Sequence, residues 1–142
     1  MYRIFPLYIV IILLAVSELR AQPFETVSSS ITGVGRSTVA WGDYDVDGDL
    51  DLIISGMTNS GSYLSRIYEN DSGTFIINQS ELQGVKDGSV AWGDFDNDND
   101  LDVLLTGETE GNGNISLIYR NDDGVFTEYD AGLPEVGYGD AS

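Results

Sequence analysis

Trp41 and Trp92 stand 51 positions apart, and much of the chain around them repeats at that step without a gap. Val39-Ala40-Trp41-Gly42-Asp43 recurs as Val90-Ala91-Trp92-Gly93-Asp94, and Ile67-Tyr68 as Ile118-Tyr119. Asn70-Asp71 becomes Asn121-Asp122, while Gly73 and Phe75 become Gly124 and Phe126. Outside this block Phe24 precedes Phe75 by the same step, Ile31 lines up with Leu82 and Leu133, and Val34 with Val85 and Val136. A unit written more than once folds as one structure repeated, each copy covering the apolar face its neighbour cannot bury alone.

Within the unit the residues read as short strands separated by turns. In the first copy the expected strands are 37–42, 50–55, 63–69 and 74–78; in the second they are 89–93, 101–106, 115–120 and 125–128. The run 50–55 is dense enough in apolar residues for a strand buried on both faces. Asn70-Asp71-Ser72-Gly73 is a turn by its chemistry, and the polar stretches 56–62 and 107–114 read as loops. Four antiparallel strands per roughly 50 residues is the pattern of a β-propeller blade. The fold class expected is therefore all-β: a fragment of a larger propeller, preceded by a signal-peptide helix. The unit boundaries fall at a leading strand 22–32, repeat one about 33–83, repeat two about 84–134 and the start of a third at 135–142. Trp41 and Trp92 are expected between blades; the competing reading is an exposed platform on which sugars stack.

Between the first two strands of each unit lies an acidic nonapeptide. Asp43-Tyr44-Asp45-Val46-Asp47-Gly48-Asp49-Leu50-Asp51 and Asp94-Phe95-Asp96-Asn97-Asp98-Asn99-Asp100-Leu101-Asp102 both place aspartate at every odd position. Carboxylates a few ångströms apart repel by roughly 1 kcal/mol per pair even in bulk water. A hard cation removes that penalty, and Ca²⁺ takes six to eight oxygen ligands from short loops of this kind. An EF-hand would need an acidic twelfth residue; those positions are Ile54 and Leu105. A nine-residue loop fits both copies, with side chains from positions one, three, five and nine and a main-chain carbonyl from position seven. Asp43, Asp45, Asp47 and Asp51 with the Asp49 carbonyl would hold one ion. Asp94, Asp96, Asp98 and Asp102 with the Asp100 carbonyl would hold a second. Gly48 suits a left-handed turn, and Asn99, in its place in the second loop, tolerates that region better than most residues. The alternative is a pair of solvated acidic turns without metal.

The rest of the composition excludes more than it assigns. Six Lys plus Arg against 24 Asp plus Glu give a formal charge of −18, which repels nucleic acid and anionic lipid. Neither Cys nor His occurs, so no disulfide, no thiolate or imidazole metal site and no Ser-His-Asp triad can be assembled. Residues 1–21 read as an export signal: Arg3, an apolar run over 4–16, then a more polar end at Ala21. A helix of that run, at about 1.5 Å per residue, falls short of a hydrocarbon core of roughly 30 Å. A mature chain from Gln22, secreted or held at the cell surface with no membrane span, is the expectation; an N-terminal anchor or a buried helix is the alternative.

The acidic loops, preceded by Val-Ala-Trp-Gly-Asp and ending in Leu50-Asp51-Leu52-Ile53 or Leu101-Asp102-Val103-Leu104, resemble FG-GAP/VCBS repeats. Those repeats build the calcium-binding propellers of integrin α-subunits and of many secreted bacterial proteins. The resemblance runs from Phe24 onward and implies the ligand set above, position by position, with Asn99 the one departure. It also implies an adhesion or binding module for an extracellular protein or glycan, completed by blades outside this chain, and no enzyme. The alternative is part of a secreted polysaccharide-degrading enzyme such as a lyase. Against it, the clustered carboxylates are committed to metal, and Tyr68 and Tyr119 recur with the repeat, as packing residues do.

Overall fold

The computed structural model describes residues 30–111 and 113–136. The expected signal segment, most of the leading strand and the third unit beyond Val136 lie outside them. Eight strands follow one another: β1 (Val34–Gly42), β2 (Asp51–Thr58), β3 (Tyr63–Asp71), β4 (Thr74–Ile77), β5 (Lys86–Gly93), β6 (Asp102–Glu108), β7 (Asn114–Asp122) and β8 (Val125–Tyr129). They form two antiparallel four-stranded sheets in the orders β1-β2-β3-β4 and β5-β6-β7-β8. Each is a simple meander of the kind a propeller blade requires, and no helix occurs among the described residues.

The two sheets share a register as well as an order. Trp41 faces Leu52 across β1 and β2 as Trp92 faces Val103 across β5 and β6. Both first strands carry a bulge, between Gly35 and Thr38 and between Lys86 and Ser89, with Arg36 at φ 50° and Asp87 at φ 49°. Opposite the bulges β2 and β6 run on through Gly56 and Gly107 to Thr58 and Glu108, so the two loops are shorter than the polar composition of 56–62 and 107–114 implied. A Cβ on Gly56 would lie 2.8 Å from the Gly35 carbonyl oxygen; these glycines serve close backbone approach within a strand. The turns that remain are closed by Thr58 and Thr109, whose N–H groups donate to the carbonyls of Ser62 and Gly113 at 2.8 Å.

The core lies between the sheets. Ile53 and Ile67 from the first sheet, Val90, Val103 and Leu105 from the second, and Tyr44, Val85, Tyr119 and Phe126 form one cluster. Full burial of aliphatic side chains this size contributes about 1.5–3 kcal/mol each. The segment joining the sheets fastens them with polar contacts. Asn78 donates through Nδ2 to the Gly124 carbonyl (3.0 Å) and to Tyr44 Oη (3.1 Å). Ser80 Oγ accepts from Phe126 N–H (3.0 Å), and Gln83 N–H donates to Tyr119 Oη (2.9 Å). Thr32 N–H does the same to Tyr68 Oη at 3.0 Å, so both repeated tyrosines are packing residues with engaged hydroxyls.

Trp92 is the largest knob in this interface. Its ring lies parallel to Tyr44 at 6.0 Å and tilted against Phe126 at 5.9 Å, and its Nε1–H donates across the sheets to the Ala40 carbonyl at 3.4 Å. Trp41 meets only half of the expectation. It packs on Phe75 at 6.2 Å but stays 55 % exposed, because no described sheet lies on its side. The indole of Trp92 rests on Gly42, where an added Cβ would come within 2.7 Å of it, whereas a Cβ on Gly93 would meet nothing. Gly42→Ala is therefore expected to destabilise the chain by about 1–3 kcal/mol, while Gly93→Ala, at the equivalent position, leaves folding of the single chain nearly unchanged; urea unfolding of the two variants checks the contrast.

Candidate metal centre

Each acidic loop is wound by its own carboxylates. Asp43 accepts the N–H groups of Asp47 (3.0 Å) and Gly48 (3.1 Å), and Asp94 accepts those of Asp98 and Asn99, both at 3.2 Å. Asp47 and Asp98 accept from the amides two residues on, Asp49 at 2.8 Å and Asp100 at 2.9 Å. The loops share their left-handed residues too: Val46 and Gly48 at φ 61° and 96° in the first, Asn97 and Asn99 at 63° and 79° in the second. Asn99 thus takes the glycine's conformation. Val46 is the strained member, since a β-branched side chain is rarely found there.

The last aspartate of each loop begins the second strand and is sealed off from water: Asp51 is 0 % and Asp102 2 % exposed. Asp51 receives Tyr44 N–H on Oδ2 (3.0 Å) and Asn70 N–H on Oδ1 (2.8 Å). Asp102 receives Phe95 N–H and Asn121 N–H in the same way, both at 2.9 Å. One carboxylate thereby ties the loop's second residue to the end of the third strand. Burial pushes the Asp51 carboxyl above its ordinary pKa of 3.8; the two amide bonds oppose that, and the charges of Asp45 and Asp47 add to it. Burial also raises Asp45, with the charges of Asp47 and Asp43 behind it. Asp96 is raised by desolvation and then by the charges of Asp98, Asp102 and Asp94.

Of the ten expected site aspartates the structure brings two triplets together. Asp43, Asp45 and Asp51 each offer a carboxylate oxygen, all within 4.8 Å of one another, and Asp94, Asp96 and Asp102 do the same. Asp47 and Asp98 stand beside these triplets with one oxygen on a backbone amide. The side chains of Asp49 and Asp100 take a task the sequence did not disclose. They reach the β3–β4 and β7–β8 turns, where they accept Ser72 N–H at 3.0 Å and Asp123 N–H at 3.4 Å. None of the ion pairs between described residues reaches any of the ten. Three converging oxygens in each loop, one from a buried carboxylate and none balanced by an ammonium or guanidinium contact, form an all-oxygen donor set that fits a hard divalent cation.

Asn70 and Asn121 also belong to this architecture, though their sequence context announces only a turn. Each spans the site from the strand opposite. Asn70 Nδ2 donates to the Leu50 carbonyl (3.0 Å) and its Oδ1 accepts Gly73 N–H (2.9 Å). Asn121 donates to the Leu101 and Tyr44 carbonyls, both at 3.2 Å, and accepts Gly124 N–H at 2.8 Å. The only sequence signal linking them to the loop was their recurrence at the same step. Beside them the copies diverge: Glu69 accepts the Tyr44 hydroxyl at 3.4 Å, whereas the equivalent Arg120 bonds Asp122 and feels the charges of Asp96 and Asp98.

Compared with known proteins, residues 43–105 match the family model described as the FG-GAP-like repeat. The match holds both acidic loops entire and ends inside β6; over these residues the chain is similar to an FG-GAP-like repeat. Neither the curated proteins nor the solved structures give a significant match.

Asn121→Ala would strand two carbonyls, one of them buried, and an amide. The expected loss is about 2–4 kcal/mol, and a smaller one for Asn70→Ala, whose site is more open to water. Val46→Asn, which copies Asn97, should instead raise the stability of the metal-free chain by about 1 kcal/mol by relieving the left-handed valine. Chemical denaturation in chelator measures all three.

Proposed function

We propose that this FG-GAP-like repeat chain is a calcium-stiffened β-propeller module, exported from the cell, that binds an extracellular protein or glycan and performs no catalysis itself. The observation that carries the calcium reading is the convergence of Asp43, Asp45 and Asp51, and of Asp94, Asp96 and Asp102, with no cationic side chain on them. Asp47 and Asp98, and the main-chain carbonyls of Asp49 and Asp100, would complete the two donor sets. A bound Ca²⁺ would neutralise the carboxylates and hold each loop closed; the protein's own residues already link that loop to the third strand through Asp51 and Asp102. Export rests on residues 1–21, and at millimolar extracellular calcium even weak sites fill.

The binding role follows from where the fold leaves freedom. Residues 59–62, Glu110, Gly111 and Gly113 are exposed, and the turns they belong to are held at their roots by Thr58 and Thr109; contacts tend to be made by loops on a rigid frame. Tyr68 and Tyr119, the tyrosines a lyase reading would turn to, are buried with their hydroxyls on backbone amides. The two ion sites should not be equal. Glu69 adds negative charge near the first where Arg120 adds positive charge near the second, and ligand charge tunes calcium affinity.

Titration calorimetry should find two calcium sites, the tighter lost in Asp45→Asn and the weaker in Asp96→Asn. Calcium should raise the melting temperature and chelator should lower it. The pH response should also change sign. The raised carboxyls of Asp45, Asp51 and Asp96 bind protons more tightly folded than unfolded. Their stabilising contribution is therefore complete below the ordinary value of 3.8 and is lost as pH rises through the raised folded values. With calcium present stability should instead grow over that window, because the ion competes with protons. A melting temperature and pH profile that ignore calcium would defeat the assignment.

A further inference from the structure

We propose that the two acidic loops are coupled: a cation held by one raises the affinity of the other, and the side-chain amide of Asn121 carries the effect between them. The proposal rests on the calcium reading above and concerns how the two sites act on each other.

The link consists of three buried hydrogen bonds in series. In the first loop the Asp51 carboxylate accepts Tyr44 N–H on Oδ2 at 3.0 Å. The carbonyl of the same tyrosine accepts Asn121 Nδ2–H at 3.2 Å, across the joint between the sheets. Asn121 in turn donates its own N–H to Oδ1 of Asp102, the buried carboxylate of the second loop, at 2.9 Å. Two carboxylates that would each hold an ion are thus connected through two residues. The amide also donates to the Leu101 carbonyl at 3.2 Å, so one NH₂ group bonds both loops at once. The equivalent Asn70 shows what this adds. It bonds Asp51, Leu50 and Gly73, all in its own unit, and among the described residues it reaches no second loop.

The link is braced on both sides. Tyr44 Oη accepts from Asn78 Nδ2, which also holds the Gly124 carbonyl, and Gly124 N–H returns to Asn121 Oδ1. This closes a circuit from Tyr44 through Asn78 and Gly124 to Asn121, with the Tyr44 ring parallel to Trp92. Asp100, whose main-chain carbonyl would complete the second donor set, caps the same turn by accepting Asp123 N–H at 3.4 Å. What passes along the link is order. Without a cation the carboxylates of a loop repel one another, and a loop that splays draws Tyr44 or Leu101 away from Asn121. A cation that closes either loop fixes its half of the link, so the other loop closes with less conformational entropy left to lose. The effect is mutual, because each site must change the other's affinity by the same factor. Direct repulsion between two bound cations acts in the opposite sense. Mobile salt screens that repulsion but does not reach hydrogen bonds buried between the sheets.

Calcium calorimetry on Asp96→Asn and on Asp45→Asn gives the affinity of each site alone, and the unaltered chain gives the constant for filling both. That constant should exceed the product of the two single-site constants by about fivefold or more. The excess should persist when salt is raised from about 0.15 M to about 1 M. Asn121→Ala should erase it while both sites still bind. Asn121→Asp, which loses the same donors but keeps an acceptor for Gly124, should erase it too, and decides alone if near-ultraviolet circular dichroism shows the alanine variant unfolded. Asn70→Ala, which removes an amide bonded to one loop only, should leave the excess in place. Two sites that fill independently overturn the coupling and leave the calcium reading standing. So does an excess that vanishes at high salt, or one that survives the loss of the Asn121 amide. A chain that takes up no calcium overturns both.

Discussion

A carboxylate with no water around it organises each sheet. Asp51 and Asp102 are buried at the root of the hairpins that carry the acidic loops, where an isolated charge would be penalised by several kcal/mol. Two backbone amides on each carboxylate offset that penalty, and the amides come from different places: one from the loop's second residue, one from the end of the third strand. Removing the carboxylate would therefore leave two amides unpaired and release both the loop and the strand. The remaining loop aspartates are arranged around this fixed point. Asp43 and Asp94 wind the loop on itself, and Asp49 and Asp100 reach over to the far turn.

Aromatic packing joins one such sheet to the next. Tyr44, the second residue of the first loop, gives its amide to Asp51, its ring to Trp92 and its carbonyl to Asn121. The loop that would hold an ion is thus also part of the contact between blades. Burial of the ring raises the Tyr44 hydroxyl to about 12, so it stays protonated and remains a donor to Glu69 and an acceptor from Asn78 over the whole physiological range. Ordering of the loop and docking of the second sheet are coupled through this one residue, and an ion that stiffens the loop would stiffen the interface with it.

The architecture was legible because the repeat is. Strand order, the hairpin position of the acidic loops, the dense run of β2 and the packing role of Tyr68 and Tyr119 all follow from a pattern that recurs at a fixed step. What stayed hidden lies where backbone geometry overrides composition. Gly56 and Gly107 read as loop residues, yet they sit inside strands because only glycine lets the bulged first strand come so close. Asn70 and Asn121 read as turn residues, and nothing local says that their side chains cross to the loop. Asp49 and Asp100 read as donors through their carbonyls alone, because a sequence gives no sign of the long-range turn their carboxylates cap. Trp41 and Trp92 are indistinguishable in the sequence; only the sheet beside each decides which is covered.

Where the two copies differ is as informative as where they agree. Ala40, Gly42, Asp43, Asp45 and Asp51 return unchanged as Ala91, Gly93, Asp94, Asp96 and Asp102, which keeps the small residues beside each tryptophan and the carboxylate triplet in both blades. Tyr44 gives way to Phe95, Gly48 to Asn99 and Glu69 to Arg120, all on the periphery of the same centre. The hydroxyl lost at Phe95 is the one that Glu69 and Asn78 hold in the first blade, and with arginine in place of that glutamate the second blade has no acceptor for it. The three exchanges belong together: with Glu69 beside it the first centre is the more negative, and with Arg120 beside it the second is the less so. One fold is thus written twice within one chain, with Ala40, Gly42 and the carboxylate triplet kept and the charges around the loops changed.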